Sequence, residues 1–195
     1  MSRLILASKS PRRRELLAML GLAFDTVTPA VDESSVKADS PALLTERLSR
    51  LKAEAVRRAL PGDPRPIVAA DTLVDLDGLI LGKPRSEDEA RAMLRRLSGQ
   101  THFVHTGLTL IAGGRTESAV ESAAVRFRAL GDDEIEAYLT TGEPMDKAGA
   151  YGIQGRAGAF IDRIEGDYYA VVGLPICRLT VMLKAAGFSL SDFSE

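Results

Sequence analysis

A serine followed by a proline opens a helical pattern twice, and each time a short stretch that reads as a strand stands before it. Residues 4–7 precede Ser10-Pro11, and residues 24–28 precede Ser40-Pro41. Serine is a favoured helix cap, and proline is best tolerated at the first helical position. Leu16, Leu17 and Leu20 follow the first pair at helical spacing until Gly21. Leu44, Leu48, Leu51, Ala55 and Ala59 follow the second on one side of a long helix that ends at Pro61-Gly62. Short strands alternating with helices specify an α/β chain. The next apolar run, 67–70, reads as a buried strand running into Asp71, with Leu79-Ile80-Leu81 returning from an Asp77-Gly78 turn. Ser86 and Glu89 have capping-box spacing before Ala90, Met93, Leu94 and Leu97.

The middle of the chain changes character. Residues 101–112 and 116–127 read as a hairpin turning at Gly113-Gly114, and 132–139 as a short helix closed by Gly142. Gly149, Gly152, Gly155 and Gly158 crowd one stretch too closely for a regular element, and Gln154 stands between two of them. Residues 160–164 and 168–172 flank a Glu165-Gly166 turn, and Leu174-Pro175 opens a last helix through Lys184. The expectation is a single domain over residues 1–195, an α/β fold with a mixed sheet.

Composition limits the function classes. Net charge is −2 with 25 basic and 27 acidic residues, so no global basic field draws nucleic acid or an anionic membrane, and no stable nucleic-acid complex is expected. No apolar run approaches the ~18 residues that span a bilayer. The start, Met1-Ser2-Arg3 and a very short apolar stretch, is too slight for a secretory leader. The lone Cys177 offers neither a disulfide nor a metal cluster and reads as a core residue. The expected location is the cytoplasm, without a membrane partner. Neither a dinucleotide fingerprint nor a P-loop is present.

Three places carry residues that the fold alone does not call for. Arg12, Arg13 and Arg14 occupy the first turn of a helix, where the backbone already bears about half a positive charge. An anion, phosphate above all, would resolve that conflict with the help of Ser8 and Ser10; the plainer reading is three solvated arginines around a surface helix. Asp71, at the end of a buried strand, stands where open α/β sheets form their ligand crevice, or it simply begins a turn. Asp32-Glu33 is an acidic pair that, together with Asp71, could hold a hard cation such as Mg²⁺, or is merely solvated. Lys83, fixed between Gly82 and Pro84, and Lys52, mid-helix, supply further positive charge, although Lys52 also reads as a snorkelling surface side chain. Gln154 could pair with a base edge or stand exposed on a turn. Tyr168-Tyr169 offers a stacking platform or a packing pair. His102 and His105 point to opposite faces of a strand and read as structural.

Taken together, the motifs resemble those of the Maf family of nucleotide pyrophosphatases. The matching runs are Ala7-Ser8-Lys9-Ser10-Pro11-Arg12-Arg13 with Glu15-Leu16-Leu17, Ala70-Asp71-Thr72, Gly82-Lys83-Pro84 and Leu97-Ser98-Gly99-Gln100. The run from Asp146-Lys147-Ala148-Gly149 through Tyr151-Gly152-Ile153-Gln154-Gly155 and Val171-Val172-Gly173-Leu174-Pro175 complete the set. The resemblance implies an elongated α/β domain with a cleft, similar to inosine triphosphatases, and a homodimer as a common assembly. It implies hydrolysis of a nucleoside triphosphate to monophosphate and pyrophosphate with a divalent metal, Mg²⁺ or Mn²⁺, in nucleotide house-cleaning, and a link to arrest of cell division. The family's catalytic base falls on Asp71 and its specificity positions on Arg12, Thr72 and Gln154. Threonine after the aspartate is similar to the dTTP and UTP branch, whereas the 7-methyl-GTP branch tends to carry glutamine there. Under this resemblance Asp71 and Glu33 would hold the metal, while Ser8, Ser10, Arg12, Arg13, Lys52 and Lys83 would clamp the triphosphate. Thr72 and Gln154 would read the base. A nucleotide-binding regulator of division without turnover is the competing class; the carboxylate of Asp71 argues against it, since a pure anion binder gains nothing from a negative charge beside phosphates.

Overall fold

The computed structural model describes residues 3–194. The opening Met1-Ser2 lies outside the described residues. The strands are β1 (Leu4–Leu6), β2 (Phe24–Thr26), β3 (Ile67–Leu76), β4 (Leu79–Leu81), β5 (Thr101–Ala112), β6 (Arg115–Phe127) and β7 (Ile161–Glu165). The helices are α1 (Pro11–Met19), α2 (Pro41–Ala59), α3 (Glu87–Leu97), α4 (Asp132–Leu139), α5 (Tyr168–Val172) and α6 (Ile176–Ala185). All strands join one mixed seven-stranded sheet in the order β2-β1-β3-β5-β6-β7, with β4 also paired to β3. β1 runs parallel to β2 and β3, and every other pairing is antiparallel. The expected α/β architecture with a mixed sheet is what forms.

The sheet has a gap, and the gap makes the cleft. β5 covers one edge of β3 from Ile67 to Asp75. The other edge is taken by β1 only at Ile67 and Val68, and by β4 only from Val74 onward. Between them Asp71 and Thr72 lie on an edge without a strand partner, next to the loop that leaves β1 for α1. Along β3 successive side chains alternate between faces. Val68 and Ala70 join a core with Leu16, Leu17, Leu179 and Leu183 from α1 and α6. Val74, on the same face, joins a second core with Met93, Leu94 and Leu97 of α3 and Ile135 and Leu139 of α4. The Thr72–Thr106 pair forms the seam between these two cores. On the opposite face Ala53 and Val56 of α2 pack against Ile67, Ala69 and Ile111.

Helix α2 lies on the sheet with a contact that only glycine permits. A Cβ on Gly107 of β5 would stand 2.2 Å from the Thr45 carbonyl oxygen and 2.6 Å from the Glu46 nitrogen. The helix therefore turns a different side inward from the one its leucines suggest. Thr45, Leu48, Ser49, Lys52, Ala53 and Val56 are buried, while Leu44, Leu51 and Ala55 are only partly covered and Ala59 is exposed. Ser49 Oγ meets Thr109 Oγ1 at 2.8 Å across the interface. Close approach to a backbone, rather than apolar area, sets the orientation of this helix.

Three further expectations are corrected. Only the first of the two stretches around Glu165-Gly166 is a strand; the second is α5, whose Tyr169 N–H is capped by Asp167 Oδ1 at 2.8 Å. Cys177 is exposed, because Ile176, Leu179, Met182 and Leu183 form the buried stripe of α6 and leave position 177 outside it. Ser10 occupies the cap position of α1, yet its side chain makes no capping bond. His102 and His105 do face opposite ways. His102 is fully buried with Nε2 2.7 Å from Tyr151 Oη, whereas His105 Nδ1 meets Ser122 Oγ at 2.7 Å. Among the described residues no helix is long and apolar enough to cross a membrane.

Two measurements test this arrangement. Gly107→Val forces α2 off the sheet and is expected to cost about 1–3 kcal/mol in a denaturant titration. Burial pulls the His102 pKa down to about 4, below its unfolded value. The unfolded chain therefore binds the extra proton first as pH falls, and stability is lost between about pH 6.5 and 4, by roughly 3 kcal/mol in all. His102→Gln is expected to remove that part of the pH dependence of unfolding.

Candidate active site

A cavity of about 740 Å³ opens at the gap in the sheet. Of the residues singled out from sequence, Ser10, Arg12, Arg13, Glu33, Lys52, Asp71, Thr72, Lys83 and Gln154 all line it. They come from α1 and its cap position, the 3-10 turn Glu33–Ser35, α2, β3, the loop after β4 and the glycine-rich stretch, so only the fold brings them together. Ser8 sits behind the wall, buried, with its Oγ accepting from the Ser10 N–H at 3.1 Å and from Arg13 Nη1 at 3.3 Å. Arg14 and Lys9 are exposed and do not line the cavity.

On one wall Lys52 and Asp71 form a buried ion pair, Nζ to Oδ1 at 2.5 Å. Lys52 is no snorkelling side chain: it points from the sheet face of α2 at Asp71, which neither ends a strand nor begins a turn as expected but lies within β3, because the strand continues to Leu76. Its ammonium also meets Glu33 Oε1 at 3.1 Å, where the Glu33 side chain remains about half exposed. Asp71 Oδ2 has no protein hydrogen-bond partner among the described residues.

On the other wall Arg13 is held by neutral oxygens alone. Nε donates to the Gly173 carbonyl at 2.7 Å, Nη1 to Ser8 Oγ, and Nη2 to Thr72 Oγ1 at 3.2 Å. No carboxylate pairs with it among the described residues. Burial pulls its pKa below the usual guanidinium value; the charge of Asp71 opposes that shift and Arg12 reinforces it. The guanidinium is fixed in place with its charge uncompensated by direct contact, a built site for an anion. Arg12 reaches Asp146 Oδ2 at 3.4 Å, a loose and partly exposed contact. Lys83 is exposed at the rim and forms no ion pair among the described residues.

Thr72 is committed to this wall rather than free in the cleft. Thr106 Oγ1 donates to the Ala170 carbonyl at 2.7 Å, so Thr72 Oγ1, at 2.8 Å, donates to Thr106 and accepts from Arg13. Tyr168 and Tyr169 do not line the cavity; their rings pack edge-on at 5.4 Å, with Tyr169 against the core. Sequence reasoning missed Glu143, Asp146, Lys147 and Tyr151 as lining residues. A cluster of charges directly before a glycine-rich stretch was the available signal for the first three.

Residues 3–186 match the family described as Maf-like protein. The chain belongs to the Maf-like family. A Symbiobacterium thermophilum protein named dTTP/UTP pyrophosphatase is 53% identical over 190 residues, covering 97% of this chain and 97% of that one. A Vibrio cholerae protein of the same name is 51% identical over 182 residues, covering 93% of this chain and 97% of its own length. Among solved structures, the Staphylococcus aureus Ham1 protein shares the fold with a TM-score of 0.53 at 13% identity, over 94% of this chain and 99% of that one. The cleft of this Maf-like chain thus joins a buried carboxylate–ammonium pair to an unpaired guanidinium across one cavity.

Lys52→Met tests the pair. Removing one partner leaves a carboxylate buried without its counter-charge, an expected loss of about 3–5 kcal/mol in equilibrium unfolding, and Lys52→Met with Asp71→Leu together is expected to recover most of it.

Proposed function

We propose that this chain hydrolyses dTTP and UTP to the monophosphate and pyrophosphate, acting as one domain over residues 1–195. The observation that carries the reading is the guanidinium of Arg13, fixed by three neutral oxygens beside a carboxylate that has one oxygen without a protein partner. Names of relatives about half identical over nearly their whole length support the same reaction.

A divalent cation, Mg²⁺ or Mn²⁺, fits the donors present. Glu33 and Asp71 both contact the Lys52 ammonium, so their oxygens converge on one region. Among the described residues no group of three or more metal-ligating side chains forms. Mg²⁺ binds through one or two carboxylates and relies on substrate phosphates for the rest. Once bound, it would supply neutralisation of phosphate charge and a Lewis-acid pull on the departing pyrophosphate.

The chain's own residues do the remainder. Arg12, Arg13 and Lys83 clamp the triphosphate, and the uncapped start of α1 with Ser10 adds donors to that end. Ser8 and Thr72 hold Arg13 in position. Asp71 Oδ2 orients a water and takes its proton as the water adds to phosphorus. The bond between the α and β phosphates breaks, and pyrophosphate leaves against the cations. Lys52 fixes the Asp71 carboxylate through its other oxygen. Gln154 reads the base, because an amide that donates and accepts is left unpaired by the wrong edge.

Pyrophosphate release with dTTP, UTP, CTP, GTP, ATP and 7-methyl-GTP tests the reading. Turnover is expected for dTTP and UTP and is expected to fall by about 10²–10⁴-fold in Asp71→Asn while nucleotide binding persists. Arg12→Ala and Lys83→Ala are expected to raise KM more than they lower kcat. Preference for 7-methyl-GTP would keep the reaction and overturn the substrate assignment. Binding without turnover of any nucleotide would favour the regulator instead.

A further inference from the structure

Gln154 makes no protein hydrogen bond among the described residues and stands exposed at the cleft. Its aim is therefore set by its backbone. It occupies the third position of a turn in which the Gly155 N–H donates to the Gly152 carbonyl at 3.0 Å. That turn is wrapped around a single side chain, Glu143, from the 3-10 turn Glu143–Asp146 that follows α4.

Both oxygens of Glu143 are used. Oε2 accepts from the Arg156 N–H at 3.1 Å, and Oε1 accepts from Tyr138 Oη at 2.9 Å. The same Tyr138 oxygen accepts from the Gly152 N–H at 3.3 Å. The carboxylate thus ties both ends of the turn, Arg156 directly and Gly152 through the tyrosine. Burial and the Glu143 carboxylate both push the Tyr138 pKa up, which keeps the phenol protonated as the donor. Both glycines of the turn stand close against these side chains. A Cβ on Gly155 would lie 2.0 Å from Glu143 Oε1, and one on Gly152 would lie 2.5 Å from Lys147 Cε. Lys147 closes the other side, its Nζ donating to the Glu143 carbonyl at 2.9 Å. Tyr138 anchors the assembly in the second core, edge-on to Phe160 at 5.2 Å.

We propose that Glu143 is a positioning residue for base selection: its carboxylate, with Tyr138, moulds the turn of residues 152–156 and so sets the direction in which Gln154 presents its amide. This rests on the reading of Gln154 as the group that meets the base, and it extends that reading from one side chain to the α4 end of the second core. Arg13, Ser8 and Thr72 stand on other elements, so Glu143 bears on nucleotide preference through its turn, which meets the clamp only at the loose Arg12–Asp146 contact of 3.4 Å.

Two readouts test it on the full-length protein. The first is amide hydrogen exchange without nucleotide. Gly152 and Arg156 are expected to be protected in the unaltered protein and to exchange at least about tenfold faster in Glu143→Ala, while amides of β5 stay unchanged. Tyr138→Phe, which removes one hydroxyl only, is expected to speed Gly152 alone. The second is the ratio of kcat/KM for UTP over CTP. It is expected to fall in Glu143→Ala, to fall less in Glu143→Gln, and to be no lower in Glu143→Ala with Gln154→Ala than in Gln154→Ala alone. Unchanged exchange in both Glu143→Ala and Tyr138→Phe overturns the mould. A further drop in the double variant overturns action through Gln154. Altered exchange with a UTP preference indifferent to Gln154→Ala shows instead that the base reading fails, and the aiming role fails with it.

Discussion

The Lys52–Asp71 pair dictates much of what surrounds it. Taking an ammonium and a carboxylate out of water costs several kcal/mol per ion, recovered only when the two meet in good geometry. An ammonium on a four-carbon stem meets a strand carboxylate only if its helix lies close to the sheet. That requirement accounts for Gly107, where α2 rests backbone on backbone, and for Thr45 and Ser49, small hydroxyl residues beside Leu48 on the inward face of the helix. It also accounts for the short β1. Had β1 continued beside β3 past Val68, the edge at Asp71 would be paired, and the carboxylate would have no cleft to face.

The two walls divide the electrostatic work. The α2 wall carries a balanced group of Glu33, Asp71 and Lys52, tied together by contacts of 3.1 Å and 2.5 Å. The α1 wall carries positive charge that neutral acceptors hold without neutralising. A site for an anion alone would need only the second wall, and a site for a cation alone only the carboxylates of the first. Side by side they suit a reaction in which a polyanion is held still while a carboxylate handles water at its edge, the division that phosphoryl transfer asks of a protein.

The order of strands and helices was legible because it rests on local chemistry: Ser-Pro helix starts, glycine turns, apolar runs of strand length. The cleft was legible as motifs, and the structure gathers almost all the chosen residues into one cavity. What misled was apolar periodicity on α2. A leucine stripe predicts the buried face only when burial of apolar area sets the orientation, and here a buried lysine and a glycine contact set it. Cys177 misled in a smaller way, since a residue beside a buried stripe differs from one within it by a single step along the helix. Thr72 was legible as a cleft residue, and its hydroxyl contacts were not, because the partners, Thr106 and Arg13, lie 34 and 59 residues away in sequence.

That hydroxyl also organises one wall of the cleft. The chain Arg13–Thr72–Thr106–Ala170 runs along the seam between the two cores, and both hydroxyls in it already donate their hydrogens, Thr72 to Thr106 and Thr106 to the Ala170 carbonyl. A floor whose donors are spent cannot distinguish bases by donating to them; what it governs is the placement of the Arg13 guanidinium. Among the described residues Gln154 lines the cavity with an amide that makes no protein hydrogen bond, and the proposed reading of the base rests on it. Its turn hangs from the second core through Glu143 and Tyr138, whereas Arg13 is held at the first through Gly173 and Ser8. Arg13 and the turn of Gln154 are thus anchored in two separately packed cores, joined across the cleft by the loose Arg12–Asp146 contact at 3.4 Å.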